Sequence, residues 1–333
     1  MRMRTPLVAL AVATSLYARD RIEYIEFFGY QGIDTQAVRA ALPFREGDKV
    51  SKDVKDQARL AVLRATGREA TDAADLCCNS DGDSVIFIGL PGASSHVFTH
   101  SPAPQGNVLP PSQLTALYRK KNQAESAALK KGISEEDGAP GFLLSKERRA
   151  RAAALALHEY ALHHEDEIVG VLESSSKADL RAMAAEALGY GARTARQLSA
   201  LVRAARDSDS RVRNNATRAL GEILRADPSA AGQIPPDTFI DMIHSGVWTD
   251  RNKSSWILST LTQARDPKLL ARLKSEAGDA LLEMARWRTH GWADMPRAIL
   301  ARIAGIPEEQ IHQLSAGPLD AFVSAIGPMS RPD

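Results

Sequence analysis

The stretch DSDSRVRNNATRALG, residues 207–221, decides the fold of the C-terminal half of this chain. Its apolar residues return at the three- and four-residue intervals that place them on one face of an α-helix. Asp209 or Ser210 stands where a side-chain oxygen can accept the free N–H groups of the first helical turn. The stretch therefore predicts a capped amphipathic helix that has to pack against neighbours.

Related stretches lie before and after this one. LRAMAAEALG at 180–189 aligns with VRNNATRALG at 212–221, and RNKSSWIL at 251–258 repeats the start of the latter. Four arginines bring the helical segments into register, at offsets of 33, 32 and 38 residues: Arg148, Arg181, Arg213 and Arg251. The predicted N-caps are Asp179, Asp209 or Ser210, and Asp250. Because one helix pair cannot bury such a face alone, the repetition predicts an α-solenoid over residues 146–314.

The run 207–221 resembles the second helix of a HEAT repeat, through its preceding Asp, its Val-Arg pair and its Ala-Leu-Gly ending. HEAT proteins form curved stacks of helix pairs with a long concave surface for partners, so the resemblance implies a binding role. The repeats here are shorter than the roughly 40 residues typical of the family. The segment QIPPD at 233–237 lengthens the step to the last aligned repeat.

Residues 19–92 predict a small α+β module with the element order β-α-α-β-β. Strands are predicted over 22–28, 73–78 and 85–90. Asp34 and Ser51 can cap the two intervening helices, the second of which ends at Gly67. The turn NSDGD at 79–83 suits a hairpin and lacks the glutamate that completes a calcium loop.

This module resembles a POTRA domain, a small periplasmic module. The resemblance rests on IEFFG at 25–29 and on LPFREGDKVS at 42–51, in addition to the element order. It implies that the module docks polypeptides or partner proteins by strand addition. The chain departs from the family at 89–92, where GLPG interrupts the last strand.

The chain begins with features of an export signal. Arg2 and Arg4 precede an apolar run over 6–16, which has the length of a signal-peptide core and is too short to span a membrane. Residues 1–18 are therefore a predicted signal peptide, with cleavage expected after Ser15 or Ala18. The corresponding location is periplasmic or secreted, and a cytoplasmic chain with an apolar start is the alternative. No later segment approaches twenty apolar residues, so no integral membrane span is predicted.

The remaining segments and the overall charge are less informative. Residues 93–145 predict a Pro/Gly-rich linker with one helix over 112–131, and residues 315–333 a C-terminal tail. Forty-two Lys and Arg balance forty-one Asp and Glu, which argues against nucleic acid as a partner. Cys77 and Cys78 are adjacent, so they define neither a disulfide framework nor a zinc site.

The sequence contains no Gly-x-Ser-x-Gly elbow, phosphate-binding glycine loop, His-Glu-x-x-His pair or dinucleotide fingerprint, and we predict no catalytic residue, cofactor or metal. The one cluster of ligand types is HEYALHHEDE at 158–167. Glu159 and His163 share a helix face as metal ligands can, but a polar, solvent-facing helix is the favoured interpretation. A second ligand cluster at recognisable spacing is missing from the sequence.

Two groups of residues are candidates for binding. Trp and Arg concentrate in the last third of the chain, where they mark either a binding hot spot or a terminal cap: Trp248, Trp287, Arg288 and Trp292. Another set recurs at one repeat position and forms a candidate ligand-facing ridge: Arg211, Asn214, Asn215 and Asn252. For the paired Arg213 and Arg251, a hydrogen-bond ladder between repeats is the favoured interpretation.

Together these observations predict an exported, non-catalytic scaffold that binds a protein or peptide. The alternative is a small-molecule enzyme or maturation factor, because some HEAT-like solenoids resembling chromophore lyases bind small molecules in their concave face. A deep pocket with converging histidines and acids would favour that alternative.

Overall fold

The computed structural model describes residues 21–76, 83–96, 98–133, 136–289 and 291–327. The predicted signal peptide, Cys77, Cys78 and most of the predicted 79–83 turn lie outside these residues. The described chain forms an α+β module followed by a helical solenoid, as the sequence predicts.

The module has the predicted element order. It contains β1 (Ile22–Phe28), α1 (Thr35–Ala41), α2 (Val54–Thr66), β2 (Asp72–Leu76) and β3 (Ser84–Gly89). The central strand β3 pairs in parallel with β1 and antiparallel with β2. Asp34 caps α1 by accepting hydrogen bonds from two backbone amides, as predicted. The predicted cap at Ser51 is wrong, since α2 begins at Val54, whose amide donates to the backbone carbonyl of Ser51.

The solenoid is built from helix pairs joined by short loops. Its elements are α3 (Ser112–Leu129), β4 (Glu136–Asp137), β5 (Leu144–Ser145), α4 (Arg148–His163), α5 (Glu165–Ser174), α6 (Ala178–Leu188), α7 (Ala195–Ala204), α8 (Ser210–Ala226), α9 (Asp237–Met242), α10 (Trp248–Leu261), α11 (Pro267–Ala285), α12 (Asp294–Ile303), α13 (Glu308–Ala316) and α14 (Leu319–Ile326). The second helices α6, α8, α10 and α12 pack against one another in sequence, and we call them the second-helix row.

The segments predicted as linker and tail are packed parts of the solenoid. In the predicted linker, α3 lies along α4, and Leu114 of α3 is fully buried. In the predicted tail, α14 contacts α12, and its Phe322 is fully buried. Helical packing therefore extends at both ends beyond the predicted solenoid boundaries of 146 and 314.

Residues 93–96 and 98–111, which we call the strap, run back along the solenoid. The strap crosses the loops before three second helices, in the order α10, α8 and α6. Three backbone hydrogen bonds mark these crossings: His96 N to His244 O at 3.1 Å, Ser101 N to Arg206 O at 2.7 Å and Ser176 N to Gly106 O at 2.7 Å. The proline-rich segment is thus held by bonds to the repeats.

Buried arginines link the successive repeats. Arg181, Arg213 and Arg251 are each the fourth residue of their helix and at most 2% exposed. Each donates to a carbonyl of the loop before its own helix, and each pairs with an acidic residue of the following repeat. The acids are Asp207 at 2.7 Å, Asp250 at 2.8 Å and Glu283 at 3.4 Å, in that order. The ladder predicted for Arg213 and Arg251 is therefore confirmed.

The first member of the predicted register is wrong. Arg148 is the exposed first residue of α4, and the fourth position is held by Arg151. Arg297 holds the fourth position of α12, is buried and donates to the carbonyl of Ala285 at 2.8 Å. An ungapped alignment of arginines does not detect where a helix begins. It misses Arg297 because α11 is longer than the first helices of the preceding pairs.

Two of the predicted caps differ from the structure as well. Asp209 caps α8 as predicted, by accepting from the Arg211 amide at 2.9 Å. Asp179 is instead the second residue of α6, where it pairs with Arg211 at 2.6 Å. Asp250 is the third residue of α10, and its buried carboxylate accepts the ladder bond from Arg213. The ladder explains why an acidic residue stands there.

The module docks against the solenoid at α10 and α11. Side chains of the central strand alternate between two cores, as a strand buried on both faces requires. Ile86 and Ile88 pack in the module's own core with α1 and α2, while Val85 and Phe87 belong to the core of the solenoid. The sheet therefore lies between its own helices and the repeats.

Candidate functional site

Glu283 of α11 joins the module, the strap and the repeats. Its carboxylate accepts hydrogen bonds from the amides of Gly29 and Tyr30, at 2.8 and 3.1 Å, and from the hydroxyl of Ser94. Arg251 completes the ladder on the same carboxylate. Gly29 is needed here because its φ is +70° and a Cβ would lie 2.5 Å from the Leu90 carbonyl oxygen.

Trp287 and Arg288, two of the predicted binding residues, lie against the edge strand β1. The Trp287 indole donates to the Phe27 carbonyl at 3.1 Å, and Arg288 donates to the Ile25 carbonyl at 3.2 Å. Arg288 also pairs with Glu26 at 3.0 Å. Burial raises the pKa of the Glu26 carboxyl, and the hydrogen bonds from Arg288 offset part of that effect. These contacts cover the outer edge of β1.

Trp248 and Trp292, the other two predicted tryptophans, surround Phe87 of the module. Their ring centroids lie 5.1 and 5.4 Å from that of Phe87, and Trp287 approaches it at 4.9 Å. Trp248 and Trp287 are buried, and Trp292 is half-buried. The tryptophans lie at the start of α10 and in the segment between α11 and α12, and in this structure they bind the chain's own N-terminal module.

The residues of the predicted ridge do not share one surface role. Arg211 is exposed at the start of α8 and is paired with Asp179 and Asp209. Asn214 and Asn252 both hold the fifth position of their helices and are half-buried. Asn215 donates to the Ala182 carbonyl at 2.9 Å and lines a groove on the second-helix row. Of the four, Asn215 is therefore the residue that lines this groove.

This groove lies between α3, the β4–β5 hairpin, α6 and α8, and its cavity has a volume of about 80 Å³. We call it the covered groove, because α3 and the hairpin lie over the second helices. Its lining residues are Lys121, Glu125, Glu136, Phe142, Leu143, Glu186, Gly189, Tyr190, Asn215, Arg218, Ala219 and Glu222. The groove therefore crosses from one repeat to the next.

Two aromatic side chains form the apolar part of the groove. Phe142 and Tyr190 have ring centroids 5.3 Å apart, and Phe142 stacks on His158 at 4.3 Å. The Tyr190 hydroxyl donates to the Leu143 carbonyl at 3.1 Å, which ties the hairpin to the end of α6. The rings are thus fixed by packing and hydrogen bonding before any ligand enters.

An ion-pair network fixes the end of the groove beside α3. The buried Lys121 pairs with Glu186 at 2.6 Å and with Glu125 at 2.7 Å, and Tyr118 donates to Glu186 at 2.9 Å. Burial acts to lower the pKa of Lys121, but the negative charge of Glu186 and Glu125 raises it overall. Burial and the neighbouring Glu186 raise the pKa of Tyr118 to about 12. Lys121 therefore stays charged and Tyr118 neutral.

The opposite end of the groove, toward α10, carries more positive charge. Arg218 pairs with Glu136 of the hairpin at 3.0 Å, and Arg225 pairs with Glu222 at 2.7 Å. Lys253 of α10 lies close enough to interact electrostatically with the groove residues Arg218, Glu222 and Glu136. Its ammonium group lies over the ring of Trp256, 5.5 Å from the ring centroid. Lys253 and Trp256 are not among the lining residues of the groove, but Lys253 interacts with three of those residues and Trp256 packs against Gly221 of α8.

The histidine-rich stretch does not form a metal centre within the described ranges. Glu159 and His163 are exposed and 3.3 Å apart, whereas His158 lies on another side of α4 and bonds the Tyr190 carbonyl at 2.6 Å. No group of three or more potential ligands is found in the described part of the chain. Among the helices described, none is both long and apolar enough to cross a membrane.

Comparison with known proteins supports the repeat assignment. Residues 165–234 match the family model for HEAT repeats. The matched range covers the pairs α5–α6 and α7–α8 and contains seven of the twelve lining residues of the covered groove. A search among curated proteins finds no match to the chain. The POTRA resemblance of the module stays a prediction, and the repeats are a fold of the protein-interaction scaffold kind.

Sequence reasoning identifies only one lining residue of the groove, Asn215. Phe142, Glu136 and Lys121 come from the segment predicted as a linker, so no repeat pattern points to them. Glu186 and Arg218 are detectable in principle, since both hold the ninth position of a second helix. Trp256 holds that same position in α10.

Proposed function

We propose that this protein is a non-catalytic scaffold that binds a polypeptide segment in the covered groove. The observation that carries the proposal is a groove that crosses two successive HEAT repeats beneath the β4–β5 hairpin. Phe142 and Tyr190 offer an apolar surface, while Asn215 and Arg218 offer hydrogen-bonding groups beside it. Two aromatic rings beside charged and hydrogen-bonding side chains can contact both the side chains and the backbone of a bound peptide.

The composition of the groove favours a peptide over the small-molecule alternative. Four glutamates line it, but no histidine is among its described lining residues. Glu186, Glu136 and Glu222 each already pair with a basic side chain, so none is a free general base. The arrangement thus supplies recognition groups rather than the converging acids and histidines of the alternative.

We also propose that the protein acts outside the cytoplasm. The basis is the sequence of residues 1–18, where Arg2 and Arg4 precede an apolar run. Mass spectrometry of the native protein tests this, with a mature N-terminus expected after Ser15 or Ala18. An intact Met1 on the cellular protein would contradict export by this route.

The binding proposal is tested by selecting peptides from a random display library on the immobilised full chain. Dissociation constants of the synthetic peptides are then compared for the native protein, Asn215→Tyr and Asn214→Tyr. The two asparagines are neighbours on α8, and only Asn215 lines the groove. We expect Asn215→Tyr to fill the groove and weaken binding at least tenfold, roughly the effect of losing one buried anchor, whereas Asn214→Tyr leaves binding unchanged.

Two results would contradict the proposal. The first is a library that yields no specific peptide on the native chain. The second is an equal loss of peptide affinity in both tyrosine variants when circular dichroism shows that both are folded. That result would place the peptide site outside the covered groove. If either variant unfolds, Asn215→Gln and Asn214→Gln replace the pair.

A further inference from the structure

Lys253 stands out among the charged groups near the covered groove. It is half-buried on the sixth position of α10, and no described carboxylate lies within 4 Å of its ammonium nitrogen. The contact that the structure gives this ammonium group is the face of Trp256, at 5.5 Å. An ammonium group over an aromatic ring is attracted to it but keeps its capacity to donate hydrogen bonds.

The nearby carboxylates are engaged by other cations. Glu136 accepts two hydrogen bonds from Arg218, and Glu222 accepts two from Arg225. With Lys253, three cations therefore face two carboxylates at this end of the groove. One positive charge is left without a direct partner among the described residues.

The surroundings of Lys253 make an added anion favourable. Burial lowers the pKa of Lys253 to about 8, and the charge of Arg218 acts in the same direction. An anion placed beside both groups would reverse this effect, because an opposite charge stabilises the protonated form. The Trp256 ring is held in place against Gly221, where even a Cβ would lie 2.5 Å from the ring. The cation and the ring are thus positioned in advance.

We propose that Lys253 and Trp256 bind a single carboxylate group of the polypeptide that occupies the covered groove. This inference rests on the proposed function and names the chemistry of the partner. An acidic side chain or a C-terminal carboxylate supplies the one negative charge that the site lacks, and Trp256 packs against the adjoining carbon atoms. A polyanion such as nucleic acid is disfavoured because Glu136 and Glu222 would repel the further charges.

The test uses the peptides selected on the native full chain, resynthesised with each acidic group neutralised in turn. Every Asp or Glu is replaced by Asn or Gln, and the C-terminus is amidated in a separate peptide. We expect one replacement to weaken binding about tenfold, the scale of a hydrogen bond to a charged group. Lys253→Met should remove this discrimination, Lys253→Arg should restore most of it, and the exposed control Arg211→Met should leave it intact.

The outcomes separate this inference from the proposed function. Peptides that bind in the groove with no loss on any neutralisation would overturn the carboxylate site and leave the scaffold proposal standing. Tighter binding of a peptide with phosphoserine at the critical acidic position would also overturn it, since the site would then be a phosphate site. A native chain that selects no peptide contradicts both proposals.

Discussion

The indole N–H of Trp287 donates a hydrogen bond to the backbone carbonyl of Phe27, with an N···O distance of 3.1 Å, across 260 residues of sequence. This bond joins the segment between α11 and α12 to the edge strand of the N-terminal module. Glu283 adds a second link at the Gly29 and Tyr30 amides. The module and the solenoid therefore stabilise each other, although most of the chain separates them in sequence.

The substitution Trp287→Phe should destabilise the protein. It leaves the Phe27 carbonyl buried without its donor, which costs about 2 kcal/mol in the free energy of unfolding. The control is Trp256→Phe, because the Trp256 indole is half-buried and makes no hydrogen bond within the described residues. Urea unfolding of both variants measures the difference. Equal destabilisation by the two substitutions would show that the hydrogen bond from Trp287 to Phe27 does not contribute to the free energy of unfolding.

The arginine ladder gives a matched pair of substitutions two residues apart. Arg213→Met leaves the fully buried carboxylate of Asp250 without its cation, so we expect a loss of about 3–5 kcal/mol in the free energy of unfolding. Arg211→Met removes exposed ion pairs with Asp179 and Asp209, which are worth less than about 1 kcal/mol. Thermal and denaturant unfolding measure both. A smaller effect for Arg213 than for Arg211 would contradict the ladder as a stabilising element.

Docking of the strap depends on Gly106. A Cβ at this position would lie 2.5 Å from the Ser174 carbonyl oxygen, so Gly106→Ala should displace the strap from the loop before α6. Hydrogen exchange should then be faster at the Ser176 amide, which donates to Gly106. Gly170→Ala is the control, because a Cβ there meets no atom within 4 Å. Unchanged protection at Ser176 in the Gly106 variant would contradict this role of the glycine.

The contact between strap and solenoid should weaken in acid. Burial lowers the pKa of His244, whose ring stacks on His96 of the strap at 4.6 Å, and the charges of His96 and Arg251 act in the same direction. Below the ordinary histidine pKa of about 6.5, the unfolded chain takes up a proton here that the folded chain resists. His244 therefore contributes stability that is present above about pH 6.5 and declines as the pH falls below it.

This pH dependence is isolated by comparison with His244→Gln. Burial raises the pKa values of the Glu26 and Asp72 carboxyls. These two groups therefore increase the free energy of unfolding as the pH falls, which opposes the effect of His244. For this reason the pH dependence of the native protein alone does not identify the contribution of His244. Free energies of unfolding are measured from about pH 7.5 to about pH 5.5, across the ordinary histidine pKa. The native protein should lose more stability than the variant. Parallel curves would show that His244 does not resist protonation.

Local patterns in the sequence are sufficient for the individual elements. The spacing of apolar residues places β1, α1 and the repeat helices, and the cap at Asp34 follows from a side chain next to the helix it serves. The ladder at Arg213 and Arg251 is also accessible, because the same residue recurs at one repeat position. The alignment of the first repeat with the others is harder to predict, because only the position at which α4 begins shows that Arg151, and not Arg148, matches the ladder arginines.

Contacts between distant segments could not be predicted. Nothing near Trp287 in the sequence indicates that Phe27 accepts its hydrogen bond, and the tryptophans are compatible with a binding surface or a cap. Likewise, Phe142 and Lys121 belong to a segment whose prolines and glycines indicate a linker. They become groove residues only because α3 and the hairpin fold back over α6 and α8. The position of α3 and the hairpin depends on contacts between distant segments, and the spacing of apolar residues along the sequence does not indicate such contacts.

The most decisive measurement is a crystal structure of the full chain with a selected peptide. We predict that the peptide lies in the covered groove, in contact with Phe142 and Tyr190, and that it hydrogen-bonds to Asn215 or Arg218. An acidic group of the peptide should lie within hydrogen-bonding distance of the Lys253 ammonium. A peptide bound along β2 of the module, or anywhere outside the groove, would contradict the assignment of the covered groove as the binding site.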